Sequence, residues 1–125
     1  MVRDFRINQI PRSFRYAGRG ILDVLKTEQN LRIHLLAAVI AVAAGFWLDL
    51  SGAEFAIVII AIALVISAEI FNSVVEDFLD VIHPEHHEKI RRIKDALAGA
   101  VLLSAIAAGA VGLLVFGPAL VARLG

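Results

Sequence analysis

The chain has 125 residues, 59% hydrophobic and 19% charged, with as many acidic as basic side chains and no cysteine. Without cysteine there are no disulfides, Cys-ligated zinc sites, iron–sulfur clusters or thiol chemistry. A mean hydropathy of +0.80, and an apolar share above the roughly 45–50% of soluble domains, point to a single membrane domain over residues 1–125. They point away from a nucleic-acid binder.

Residues 1–30 form the N-terminal segment. "MVRDFRINQIPRSFRYAGRG" has no apolar core before Ile21, so it does not read as a signal peptide. Within it, Phe14, Ala17, Ile21, Val24 and Leu25 recur at helical spacing, while Arg15, Arg19, Asp23 and Lys26 fall mostly elsewhere on the wheel. That pattern predicts an amphipathic interfacial helix over Ser13–Gln29, with Ser13 as a candidate cap. Gly18 and Gly20 weaken it.

Three apolar runs follow, predicting transmembrane helices over about residues 31–50, 53–79 and 96–120, with a loop at 80–95. A span needs about 20 apolar residues. The run Ala96–Ala122 meets this with no charge at all. The first two meet it only if charged residues sit near one membrane boundary. In the third run Ala105 and Gly109, and Ala108 and Gly112, carry small side chains at the spacing that lets helices pack closely in lipid.

Lys and Arg crowd the N-terminal segment and the stretch Lys89–Lys94, and none lies near Asp49 and Glu54. By the positive-inside rule the N-terminus and the 80–95 loop are cytoplasmic, and the "DLSGAE" turn and C-terminus lie outside. The chain is thus read as all-α: three transmembrane helices plus an N-terminal interfacial helix.

The second run turns acidic in "AEIFNSVVEDFLD", which begins at Ala68. At about 100° per residue, Glu69, Asn72, Glu76 and Asp80 form one polar stripe about 80° wide and roughly 16 Å long, with Asp77 outside it. Intramembrane acids are costly and usually functional. Such a stripe can hold a hard cation such as Mg²⁺, supply a general base or relay protons. It can also be neutralised by Lys and Arg within a bundle.

The following "HPEHHEKIRRIKD" suggests a histidine metal site at first sight. Pro84 is expected to start a helix there, and adjacent helix positions such as His86 and His87 do not converge on one ligand. Lys94 suits phosphate as a point charge, or anchors the span among lipid head groups. Glu28 and Arg32 are four apart: either a helix salt bridge or a second acid near the stripe. No G-x-x-x-x-G-K-[ST] or G-x-G-x-x-G motif is present, nor H-R-D or D-F-G.

"AEIFNSVVEDFLD", with "IHPEHHEKIRRIKDALAGAVLLSA" after it and "FRYAGRGI", "EQNLRIH" and "GFWLDL" before it, resembles the small prokaryotic diacylglycerol kinase and undecaprenol kinase family over roughly residues 12–116. The resemblance implies a homotrimer with sites shared between subunits, in the bacterial cytoplasmic membrane. It implies transfer of the ATP γ-phosphate, with Mg²⁺, to the hydroxyl of a membrane lipid alcohol in phospholipid and lipid-carrier metabolism. "NLRIH" and the Pro84–Lys94 stretch lean towards undecaprenol over diacylglycerol. Glu69 falls on the family's general base, and Glu28 and Glu76 on its metal ligands. Asn72, Asp80, Lys94 and Asp95 fall on its polar catalytic cluster. Tyr16, Glu85, His86 and His87 match nucleotide-lining positions, and Arg32, Trp47, Asp49 and Glu69 match lipid-contacting ones. The chain departs from the family pattern at the substrate-contacting N-terminal arginine, for which Arg6 and Arg12 are the candidates. The competing readings of the stripe are a proton-coupled transporter, and a scaffold whose acids only hold helices together.

Overall fold

The computed structural model of the chain describes residues 7–125; Arg6 lies outside them. After a 3-10 turn at Ile7–Gln9, four helices follow: α1 Ile10–Thr27, α2 Gln29–Trp47, α3 Gly52–Ile82 and α4 Glu88–Leu124. Among the described residues there is no strand. The last three helices are long and apolar enough to cross a membrane, and they run alternately up and down. The 37 residues of α4 extend about 55 Å, against a hydrocarbon core of about 30 Å. At least one end of α4 therefore stands clear of the apolar layer, and the charged turns Glu88–Asp95 are suited to be that end.

α1 is strongly amphipathic, and nearly all of it is exposed in the single chain. It begins earlier than its apolar spacing predicts, because Pro11 sits in the first turn, where a missing N–H costs nothing and the fixed φ suits a helix. Ser13 is therefore inside the helix rather than capping it, and its hydroxyl donates to the Gln9 carbonyl at 3.2 Å. The break between α1 and α2 is the single residue Glu28, in extended conformation (φ −103, ψ 113). Because Glu28 is outside the helical register, its side chain is not stacked one turn below Arg32. No ion pair joins the two.

α2 ends in a Schellman motif. The Leu50 N–H donates to the Gly45 carbonyl (3.1 Å) and the Asp49 N–H to the Phe46 carbonyl (3.3 Å), satisfying carbonyls the helix leaves open. Asp49 takes the left-handed position, φ 54, which short polar residues tolerate better than most. Gly45 is needed for packing: a Cβ there would lie 2.7 Å from the Phe55 ring. α3 starts with Ser51 as its N-cap: Ser51 Oγ accepts from the Glu54 N–H and donates to the Glu54 carboxylate.

The connection predicted at 80–95 is much shorter. α3 carries Asp80 to Ile82, α4 carries Glu88 to Asp95, and only His83–His87 is non-helical. Pro84 does not start a helix. It ends one, holding His83 extended (φ −147), as the residue before proline prefers. α4 is started instead by His87, whose Nδ1 accepts from the Lys89 N–H at 3.1 Å.

α3 is the central helix, packed on α4 along most of its length and on α2. On α4, Leu97, Val101, Ser104, Ala108, Val111 and Val115 turn inward at three- and four-residue steps. Leu102, Leu103, Ile106, Leu113 and Leu114 stay exposed. Leu31, Ala38, Val58, Val65 and Leu79 form the thin core. The remaining apolar surface faces outward, as in a membrane bundle rather than a soluble one. Of the small residues singled out on α4, Ala108, Gly109 and Gly112 border a cavity of about 240 Å³ shared with α2 and α3, with His34 on its wall.

Candidate active site

The acidic stripe lies on one unbroken helix, so its four side chains keep a common face. Burial then grades along it: Glu69 is 2% exposed, Asn72 and Glu76 are half-buried, and Asp80 is open to solvent. Asp77, off the stripe, is exposed. Counted from Gly52, a 30 Å apolar layer ends after about twenty residues, so Glu69 lies just inside the boundary and Asp80 outside it. A carboxylate this enclosed is expensive unless it is used or compensated. Ser73 and Ser104, at 3% and 7%, are the other enclosed polar side chains among the described residues. The Ser104 hydroxyl is spent on the Val101 carbonyl at 2.7 Å. Asn72 Oδ1 is buried with no hydrogen-bond partner. An orphaned acceptor of this kind costs about 1–3 kcal/mol, so it marks a place where a donor or cation is missing.

At the loop end, Lys94 Nζ bonds Asp80 Oδ1 at 2.6 Å, tying α4 to α3. Lys94 precedes the apolar run of α4. The hydrogen bond with Asp80 is the main cause that raises its ammonium above the usual lysine value, with the Asp80 and Glu76 charges adding to it. Glu76 therefore faces the same electrostatic neighbourhood. Asp95 is not paired with Lys94: it is held by Arg91, which also grips Glu88.

These groups border a pocket of about 250 Å³, lined by Asp80, His83–His87, Ile90, Arg91, Lys94 and Asp95. Of the predicted residues it gathers Asp80, Glu85, His86, His87, Lys94 and Asp95. It does not include Tyr16, Glu28, Glu69, Asn72 or Glu76. Tyr16 is exposed on α1, and Glu28 is half-buried at the α1–α2 break. Arg32 is exposed near the start of α2. Trp47 and Asp49 lie at the opposite end of the bundle. There Arg123 stacks over Trp47 at 4.5 Å and stands 3.9 Å from Asp49. Arg12, in the first turn of α1, is exposed.

Arg91 is the residue that motif reading passed over. The spacing Glu88, Arg91, Asp95 stacks three charges on one helix face, a pattern that any solvated helix face also shows.

Among the described residues no three His, Asp or Glu side chains converge as a metal cage. Mg²⁺ does not need one: it is commonly held by one or two carboxylates plus substrate phosphate oxygens. The donor set on offer is of the right kind, hard oxygens only, with the orphaned Asn72 Oδ1 on the same stripe as Glu76.

Comparison with known proteins gives a consistent result. The family described as prokaryotic diacylglycerol kinase matches residues 15–116. The undecaprenol kinase of Bacillus subtilis is 38% identical over 114 residues, covering 91% of this chain and 93% of that protein. The diacylglycerol kinase of Synechocystis is 38% identical over 101 residues, 80% of this chain and 58% of that protein. The Escherichia coli diacylglycerol kinase is 33% identical over 93 residues, 74% of this chain and 76% of that protein.

Proposed function

The chain belongs to the prokaryotic diacylglycerol kinase family, and on that premise we propose how this integral-membrane lipid kinase divides its chemistry along α3. ATP is the phosphoryl donor. The observation that carries the reading is the burial gradient, from an enclosed Glu69 to a solvent-open Asp80 on one helix face. It supports a lipid acceptor at the membrane-side end and a water-soluble donor at the other.

Phosphoryl transfer is mainly positioning and charge neutralisation. Glu69, just within the apolar layer, takes the proton from the lipid hydroxyl as its oxygen bonds to the γ-phosphorus, while the bond from that phosphorus to the β,γ-bridging oxygen breaks and ADP leaves. Lys94 offsets the negative charge on the phosphate oxygens, and Asp80 holds the Lys94 ammonium in place. Asn72 offers its free amide oxygen to a donor or cation on the stripe. Glu28 and Glu76 are the residues that would hold Mg²⁺, which when bound would neutralise donor phosphate oxygens. Asp95 completes the polar cluster. Glu85, His86 and His87 line the nucleotide side, and Tyr16 adds a ring from α1. Arg12, Arg32, Trp47 and Asp49 are assigned to the lipid side.

Undecaprenol is the preferred acceptor, because the Bacillus subtilis relative, 38% identical over 91% of this chain, carries that name; diacylglycerol is the alternative. The active end faces the cytoplasm of a bacterial inner membrane, where the basic residues of the N-terminus and Glu88–Lys94 belong by the positive-inside rule. The functional unit is a homotrimer with shared sites. This is supported by the lining of the loop pocket, which leaves out Tyr16, Glu28 and Glu69. The test is a side-by-side assay of purified protein with undecaprenol and diacylglycerol under Mg-ATP, with mixing of two differently inactivated variants. Product from neither lipid overturns the kinase reading. Failure of the mixed variants to regain activity overturns the shared site. ATP-independent proton flux in proteoliposomes would favour a transporter.

A further inference from the structure

The loop pocket contains one strong cation that the motif leaves without a task. Arg91 lines it beside Lys94, and both arms of its guanidinium are engaged, one on Glu88 and one on Asp95. These pairs lie on a single exposed helix face. Pairs of this kind are individually weak and readily exchanged, and the guanidinium is 45% exposed. Lys94, by contrast, reaches across to another helix. Carboxylates outnumber cations around the pocket: Asp80, Glu85 and Asp95 face Arg91 and Lys94. A polyanion entering there would be repelled if it met these acids alone. An arginine fork matches phosphate oxygens two at a time, which a lysine cannot do.

We infer that Arg91 binds the phosphates of the nucleotide donor. It leaves Asp95 and Glu88 for the polyphosphate, and the Asp95 carboxylate is freed in the same movement. Before the donor arrives, Arg91 keeps Asp95 neutralised. The inference rests on the kinase reading for the identity of the donor, but its measurements need no lipid.

The experiment uses the full chain in lipid nanodiscs with a non-hydrolysable ATP analogue and Mg²⁺. Arg91→Gln is expected to weaken analogue binding about tenfold or more, the loss of a charged hydrogen-bonding partner. Arg91→Lys is expected to fall between it and wild type, because it restores charge without the fork. The control is Arg92→Gln, whose side chain is 76% exposed and stands 3.9 Å from Glu88; it should bind like wild type. On the unaltered protein, nucleotide should slow phenylglyoxal labelling of Arg91, read by mass spectrometry, and leave Arg92 labelling unchanged. Analogue binding by Arg91→Gln equal to wild type, or an unprotected Arg91, overturns the inference. The labelling arm decides the question even if a variant fails to fold. Failure to phosphorylate any lipid counts against the kinase reading alone.

Discussion

The two ends of the helical bundle are closed by different physics. At the turn end the chain is tied locally: a Schellman motif closes α2, the Ser51 N-cap opens α3, and Gly45 lets α2 approach the Phe55 ring. Backbone groups there are satisfied within a few residues. At the loop end the ties run between helices or along one exposed face, through Lys94–Asp80 and Arg91 with Glu88 and Asp95. That end also has a buried carboxylate at Glu69 and an unsatisfied amide oxygen at Asn72. The turn end is built for stability. The loop end keeps a buried carboxylate and an unpaired amide oxygen on the helix face to which the chemistry is assigned by proposal.

Substitutions should separate these two characters. The largest effect is expected from Glu69→Gln and Glu76→Gln. Each should lower lipid phosphorylation by at least about a hundredfold: for Glu69 that is the low end of what a proton-transfer group contributes, and Glu76→Gln removes a carboxylate proposed to hold Mg²⁺. The oligomer should be unchanged by size-exclusion chromatography. A wild-type rate in either variant would break the contrast at its centre.

Next comes Lys94→Met, expected to reduce turnover by a similar order with little change in melting temperature, since surface ion pairs contribute little to stability. A large loss of thermal stability with retained turnover would make the loop end structural as well.

The turn end should respond in the opposite sense. Gly45→Val should destabilise by about 1–3 kcal/mol through overpacking against Phe55, with turnover per folded molecule maintained. Adding Phe55→Leu should recover part of the loss, and no recovery would point to a cause other than the close approach. Ser51→Ala should cost about 1 kcal/mol by removing the α3 cap, read as a shift in unfolding midpoint. The smallest effect is expected from Asp49→Gly. It should stabilise by up to about 1 kcal/mol, because glycine adopts the left-handed conformation freely. A destabilised Asp49→Gly would show that the Arg123–Asp49 approach matters more than the backbone.

How much of this was legible differs by residue. The stripe was legible because helical periodicity is a local property: once Gly52–Ile82 is helical, Glu69, Asn72, Glu76 and Asp80 must share a face. The helix starts were less so. Ser13 and Pro84 are both plausible first-turn residues by type. Which residue wins depends on competitors nearby, Pro11 in one case and the His87 cap in the other. The Glu28–Arg32 pairing failed because spacing rules assume an unbroken helix, and Glu28 is the break. Arg91 was missed because its partners do not distinguish it from an ordinary solvated helix face; only the pocket beside it does.

The amino-acid sequence by itself determined that the chain is helical and membrane-spanning, where the acids align, and which family it resembles. Those follow from composition, period and motif, which are properties of neighbouring residues. The tertiary structure decided that Glu69 is enclosed while Asp80 is open. It also decided that Lys94 serves Asp80, that Asp95 is held by Arg91, and that Gly45 must be small. Burial and pairing depend on which helix lies across the way, and α3 meets α4 only after the chain has turned back through His83–His87.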